Sequence, residues 1–128
     1  MELVPRNPTE GVYPATPDYV HAMEVRGHER LLYVSGTMGL DPSGAAGRTL
    51  EDQLELVWNN IRAILASAAM TTDNIVRLTS YLRDAAYAGA NAEARCRALG
   101  DRRVPTIAIV AQTLSEDWLV EIEVIAAA

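Results

Sequence analysis

Two carboxylates and one Ser-Gly step are the residues of this chain whose types and spacing best suit chemistry. Glu121 and Glu123 lie two apart in Val120-Glu121-Ile122-Glu123-Val124-Ile125-Ala126, a run alternating apolar and acidic side chains. On a strand such residues share a face. A carboxylate inside a sheet is costly unless it has a task or a partner, and burial raises its pKa toward a range useful for general acid or base work. The Ser-Gly step interrupts an apolar strand in the segment from Arg30 to Pro42, RLLYVSGTMGLDP. Glycine removes the side-chain obstacle, so the backbone N–H groups there can approach a small polar ligand; the same step also reads as a plain bulge at a strand end.

Single candidates are weaker. His21 would share a strand face with Tyr19 and Met23 and could serve as a second acid–base group, but it reads equally as a surface or satisfied structural histidine. Cys96, the one cysteine, has no histidine near it in sequence and reads as a small buried residue. Trp58 and Trp118 read as packing, with Trp118 placed where it could also rim a pocket.

Composition bounds the function classes. The chain has 128 residues and a formal net charge of −6, so it predicts a single domain and no basic field for nucleic acid or an anionic membrane surface. Its two histidines lack the Cys/His spacing of a zinc site. No run approaches the roughly 18 apolar residues of a membrane span, and no charged-then-apolar leader follows Met1. A cytoplasmic location is the expectation, with which the lone cysteine agrees.

These residues need elements to position them. Residues 1–18, with Pro5, Pro8, Pro14 and Pro17, predict an irregular N-terminal arm. Tyr19 to Arg26 and Arg30 to Met38 predict two strands joined as a hairpin through Gly27-His28-Glu29. Thr49, with Asp52 three residues on, predicts a helix N-cap. Leu50, Leu54, Val57, Ile61, Ile64, Leu65 and Ala68 then form a wide apolar stripe. Burying four such aliphatic side chains contributes about 6–12 kcal/mol before entropy is subtracted, which marks the stripe as core. A third strand is predicted over Ile75 to Arg83 and a second helix over Tyr87 to Leu99, stopped by Gly100. Val104 to Gln112 and Trp118 to Ala126 predict a last hairpin. The order β-β-α-β-α-β-β implies an α+β fold, a mixed sheet with two helices on one face. Ile107, Ile109, Trp118, Val120, Ile122 and Val124 are more apolar side chains than two helices can hide, which predicts a closed homo-oligomer.

Four pieces of this sequence, taken in order, resemble one family. They are Tyr33-Val34-Ser35-Gly36 followed by Asp41-Pro42; the Thr49 to Ala66 helix with Gln53 and Asn60-Ile61; Ile75-Val76 leading to Tyr81-Leu82-Arg83-Asp84; and the Val120 to Ala126 strand. The family is that of the Rid proteins, the reactive intermediate deaminases also known as YjgF or endoribonuclease L-PSP proteins. The resemblance implies a chorismate-mutase-like fold and a homotrimer whose sheets form a central β-barrel, with small-molecule sites in the clefts between subunits. It implies cofactor-independent, metal-free hydrolysis of an enamine or imine to a carbonyl compound and ammonia. Carried over position by position, Glu121 would orient the attacking water as the catalytic residue, with Tyr19, Ser35 and Gly36 binding substrate.

The chain departs from the family pattern at one functional position. The arginine that holds a substrate carboxylate in typical Rid deaminases falls on Pro105, Thr106 or Ile107, so Thr106 stands in the substrate-binding set without a charge. Thr37 occupies the position after Ser-Gly that is commonly glutamine, and the cysteine common two residues beyond the arginine is missing. Arg102 and Arg103 lie just upstream. The resulting expectation is a Rid-type deaminase, or a related tautomerase or dehydratase, lacking the usual arginine; the alternative is a trimer that binds a metabolite in the same cleft without catalysis. The acidic balance opposes a ribonuclease role.

Overall fold

The computed structural model describes all 128 residues. Its strands are β1 (Glu2–Arg6), β2 (Ala22–Arg26), β3 (Leu31–Met38), β4 (Ile75–Leu82), β5 (Thr106–Val110) and β6 (Val120–Ala127), and its helices are α1 (Leu50–Ser67) and α2 (Ala88–Leu99). Four strands form one mixed sheet in the order β3-β6-β4-β5, in which β6 runs antiparallel to both neighbours and β5 parallel to β4. The predicted α+β class with two helices on one sheet face is what forms.

Three connections differ from the sequence expectation. The arm expected to be irregular contains β1, which pairs antiparallel with β2 from Glu2 opposite Arg26 to Arg6 opposite Ala22. Pro5 sits within β1, and a proline is tolerated there because β1 has a partner on one side only. Arg6 donates to Glu24 at 2.6 and 2.8 Å across the pair. The expected β2–β3 hairpin does not form as a ladder. Gly27 turns the chain at φ 64°, but β2 keeps its partner β1 while β3 pairs with β6. The last two strands are likewise no hairpin, because β4 lies between β5 and β6.

The helix side of the sheet holds the core. Thr49 caps α1, its hydroxyl accepting from Asp52 N at 3.1 Å. Leu54, Val57, Trp58, Ile61 and Leu65 from α1 pack with Ala94, Ala98 and Leu99 from α2 and with Leu78, Leu82, Val120, Ile122 and Val124 of the sheet. Val120, Ile122 and Val124, counted from sequence among the apolar side chains too many for two helices to hide, are covered by the helices; Ile64, expected in the stripe, is partly exposed. Strand alternation puts Tyr33, Arg77, Thr79, Tyr81, Ile107, Ile109, Glu121 and Glu123 on the opposite face. No helix covers it. Tyr33 is 71 % exposed, and Ile107 and Ile109 are 46 % and 42 % exposed. No helix of the chain is long and apolar enough to cross a membrane.

Candidate active site on the open sheet face

The Ser-Gly step is a β-bulge. The β3–β6 ladder pairs Val34 with Val124 and resumes with Thr37 opposite Ile122, so Ser35 and Gly36 together face the single residue Glu123. Thr37 Oγ1 donates to Ser35 O at 2.9 Å across the bulge. A methyl group added at Gly36 would lie 2.6 Å from Glu121 Oε1. The glycine therefore makes room for the carboxylate of Glu121, and the two elements identified from sequence meet at atomic contact within one chain.

Both glutamates point onto the open face, as their spacing implied. Glu121 lies opposite Met38 of β3 and Tyr81 of β4. Glu123 lies opposite Thr79, and Tyr81 reaches diagonally to donate its hydroxyl to Glu123 Oε1 at 2.8 Å. That hydrogen bond, then desolvation and the charges of Glu123 and Glu121, raises the Tyr81 pKa above its ordinary 10.0. Tyr81 is a donor held beside two carboxylates. It was legible in sequence only as the third residue, after Arg77 and Thr79, to share one face of an alternating strand.

Side-chain amides fix the ends of this platform. Asn60 Nδ2 donates to Met38 O at 3.1 Å and Leu40 O at 2.9 Å, where β3 leaves the sheet. Gln53, 2 % exposed, donates to Gly47 O and Asp117 O and accepts from Leu119 N, which ties α1 to the entry of β6. Arg83 anchors the β5–β6 connection through Thr113 and Ser115. These bonds join residues far apart in sequence, so local patterns do not announce them.

The remaining sequence candidates fall elsewhere. Thr106 pairs with Leu78 and so shares the helix-covered face, and its buried Oγ1 has no hydrogen-bond partner. Tyr19 meets His21 edge-on with ring centroids 5.8 Å apart, while His21 Nε2 lies 2.8 Å from Tyr13 O. This aromatic group is held near α2, because Asp18 pairs with the buried Arg95 and Pro17 O accepts from Arg103. Arg102 donates to Thr72 O and Ile75 O, both at 2.8 Å, and burial lowers its pKa. Arg103 is also bound to Gly100 O and Arg102 O. Both arginines are backbone clamps rather than free ligand-binding groups. Cys96 is a half-buried free thiol.

Comparison with known proteins agrees with this architecture. Residues 11–128 match the family model described as Endoribonuclease L-PSP. A RutC family protein of Saccharolobus solfataricus is 31 % identical over 98 residues, spanning 75 % of this chain and 78 % of its own. Among solved structures, the Rid-family protein YyfB of Yersinia pestis superposes with a TM-score of 0.82 at 27 % identity, covering all of both chains. RidA from an Antarctic Psychrobacter superposes with a TM-score of 0.73 at 26 % identity, covering 95 % of this chain and 98 % of that one. With nearly the whole sequence matched and the same fold, the chain belongs to the endoribonuclease L-PSP family, to which the Rid and YjgF names also apply.

Proposed function

We propose that this protein hydrolyses an imine or enamine to a carbonyl compound and ammonia, in a cleft formed where copies of the chain meet over the open sheet face. The carrying observation is Glu121 seated on the glycine of the Ser35-Gly36 bulge. In this reading Glu121 takes a proton from water as the water oxygen bonds to the imine carbon and the C=N π pair moves to nitrogen. That proton passes to the nitrogen to give the carbinolamine; the hydroxyl proton then passes through Glu121 to the amino nitrogen, so that the C–N bond breaks with ammonia as the leaving group while the oxygen lone pair closes the carbonyl. Tyr81 remains a donor well above neutral pH, so its hydroxyl holds Glu123 in place beside the reacting group. Ser35, Gly36 and Thr37 form the ledge, and Tyr19 reaches substrate only as a wall supplied where subunits meet; Thr106, on the helix-covered face, takes no part. The reaction uses no metal or organic cofactor, and the assembly is a cytoplasmic homotrimer with a central barrel; the exposed Tyr33, Ile107 and Ile109 support a covered face.

Ammonia release from imines generated by an amino-acid oxidase tests the reading. Wild-type protein is expected to accelerate it, and Glu121→Gln to reduce the rate a hundredfold or more. Equal rates for the two proteins, or none above buffer, would sink it.

A further inference from the structure

The helix side of the molecule carries a depression of its own, away from the open sheet face. Its volume is about 510 Å³, against about 180 Å³ for a cavity beside Tyr33 on the open face. Its walls are α1 and α2. Because β3 and β4 are both antiparallel to β6, and β5 is parallel to β4, the two helices that connect them run back in the same direction. The charges lining the depression therefore sort by end. On α1 the carboxylates of Glu51 and Glu55 precede Arg62, and on α2 Glu93 precedes Arg97. None of these five makes an ion pair, although Glu93 and Arg97 stand at a four-residue spacing that favours one.

Trp58 is an independent sign of an occupant. It lines the depression and is 3 % exposed, yet its indole N–H is a buried donor with no hydrogen-bond partner. A buried indole N–H ordinarily has one. Glu55 and Arg62 flank Trp58 three residues before and four after, and both are exposed, so their turning aside opens the N–H to an acceptor on a ligand. We infer that the depression between α1 and α2 binds a small zwitterion whose two charges are held well apart, as in an ω-amino acid. Its ammonium lies among Glu51, Glu55 and Glu93. Its carboxylate lies at Arg62 and Arg97, with one oxygen accepting from Trp58 Nε1. The helices fix the length: Glu93 and Arg97 are about 6 Å apart along the axis, and Glu55 and Arg62 about 10 Å. An α-amino acid, whose two charges share one carbon, is too short to reach both ends. The volume of about 510 Å³ lies in the range of small-molecule sites.

Titration of the whole protein with 6-aminohexanoate, read from the indole N–H signals by NMR, tests the site; Trp58→Phe assigns which of the two tryptophan signals is which. The Trp58 signal is expected to shift saturably while that of Trp118 stays in place. Hexanoate, hexylamine and glycine should each bind about tenfold more weakly or worse, because each can satisfy one end only. Arg62→Ala combined with Arg97→Ala should weaken 6-aminohexanoate about tenfold or more and leave hexylamine unchanged. Glu55→Gln combined with Glu93→Gln should weaken it by a similar factor and leave hexanoate unchanged. All four side chains are exposed, so both double variants should keep the wild-type circular dichroism. A Trp58 signal that does not move with 6-aminohexanoate, or that moves equally with all four compounds, would overturn the site.

Discussion

Gly36 and Gly39 show how two glycines of one strand end carry different burdens. A methyl at Gly36 meets only the flexible end of Glu121, with Oε1 at 2.6 Å, and a methyl at Gly39 meets the backbone of Gln53, with its O at 2.5 Å and Cα at 2.6 Å. Neither glycine has a positive φ, so alanine is not excluded by local backbone strain. Gly36→Ala is therefore expected to change stability by no more than about 1 kcal/mol, since a side-chain tip can rotate away. It should nevertheless reduce ammonia release tenfold or more, because the carboxylate that moves is the one proposed to handle water. Gly39→Ala is expected to destabilise by about 3 kcal/mol or more, because α1 itself must shift. Urea unfolding and the ammonia assay on the two variants check this, and a Gly36→Ala protein that keeps its full rate would show that Glu121 does not depend on the space above the glycine. At this scale the sequence was informative: Glu121 and Ser35-Gly36 could be named from alternation and glycine chemistry. Tyr81 could not, since its role comes from a diagonal contact across two strands that no local spacing encodes.

The elements were legible where their signals are local and obscure where the signal lies in pairing. Thr49 marks the start of α1 because an N-cap is a property of a few neighbouring residues, and the stripe from Leu54 to Leu65 is a helical period. The strand in the N-terminal arm was hidden by Pro5, a residue compatible with an edge strand only once a partner is known. Placing β4 between β5 and β6 depends equally on non-local contacts, which is why two strands adjacent in sequence read as a hairpin. Gln53 belongs to this level: it is polar, lies within an amphipathic helix, and is nearly fully buried because three backbone groups of two loops need it. Gln53→Leu would fill similar space yet leave Leu119 N–H, Gly47 O and Asp117 O without that partner. A loss of about 2–4 kcal/mol is expected, seen as a lower urea midpoint with unchanged m-value. A loss below about 0.5 kcal/mol would mean that water replaces the amide freely and that the entry to β6 is not held by α1.

For the whole molecule the governing fact is that the helices cover one side of the sheet and no helix covers the other. Tyr33, Ile107 and Ile109 are exposed on that side, and β5, with four of its five residues exposed, forms an outer edge of the sheet. An uncovered edge and apolar face of this kind favours association with like surfaces. The charge pattern agrees with a closed assembly over a nucleic-acid partner, because the net charge of −6 offers no field for phosphate. Light scattering is accordingly expected to give about three times the 13.9 kDa chain mass. The paired change Ile107→Glu and Ile109→Glu places carboxylates where the apolar face would meet a neighbour, and is expected to yield the single-chain mass. Both positions are partly exposed and outside the core formed under α1 and α2, so the variant should retain its helical circular dichroism. If the cleft between copies completes the site, the same variant must also lose ammonia release although Glu121, Ser35 and Gly36 are untouched. A wild-type protein that scatters as one chain, or a dissociated variant that keeps its full rate, would show that one copy carries the chemistry alone.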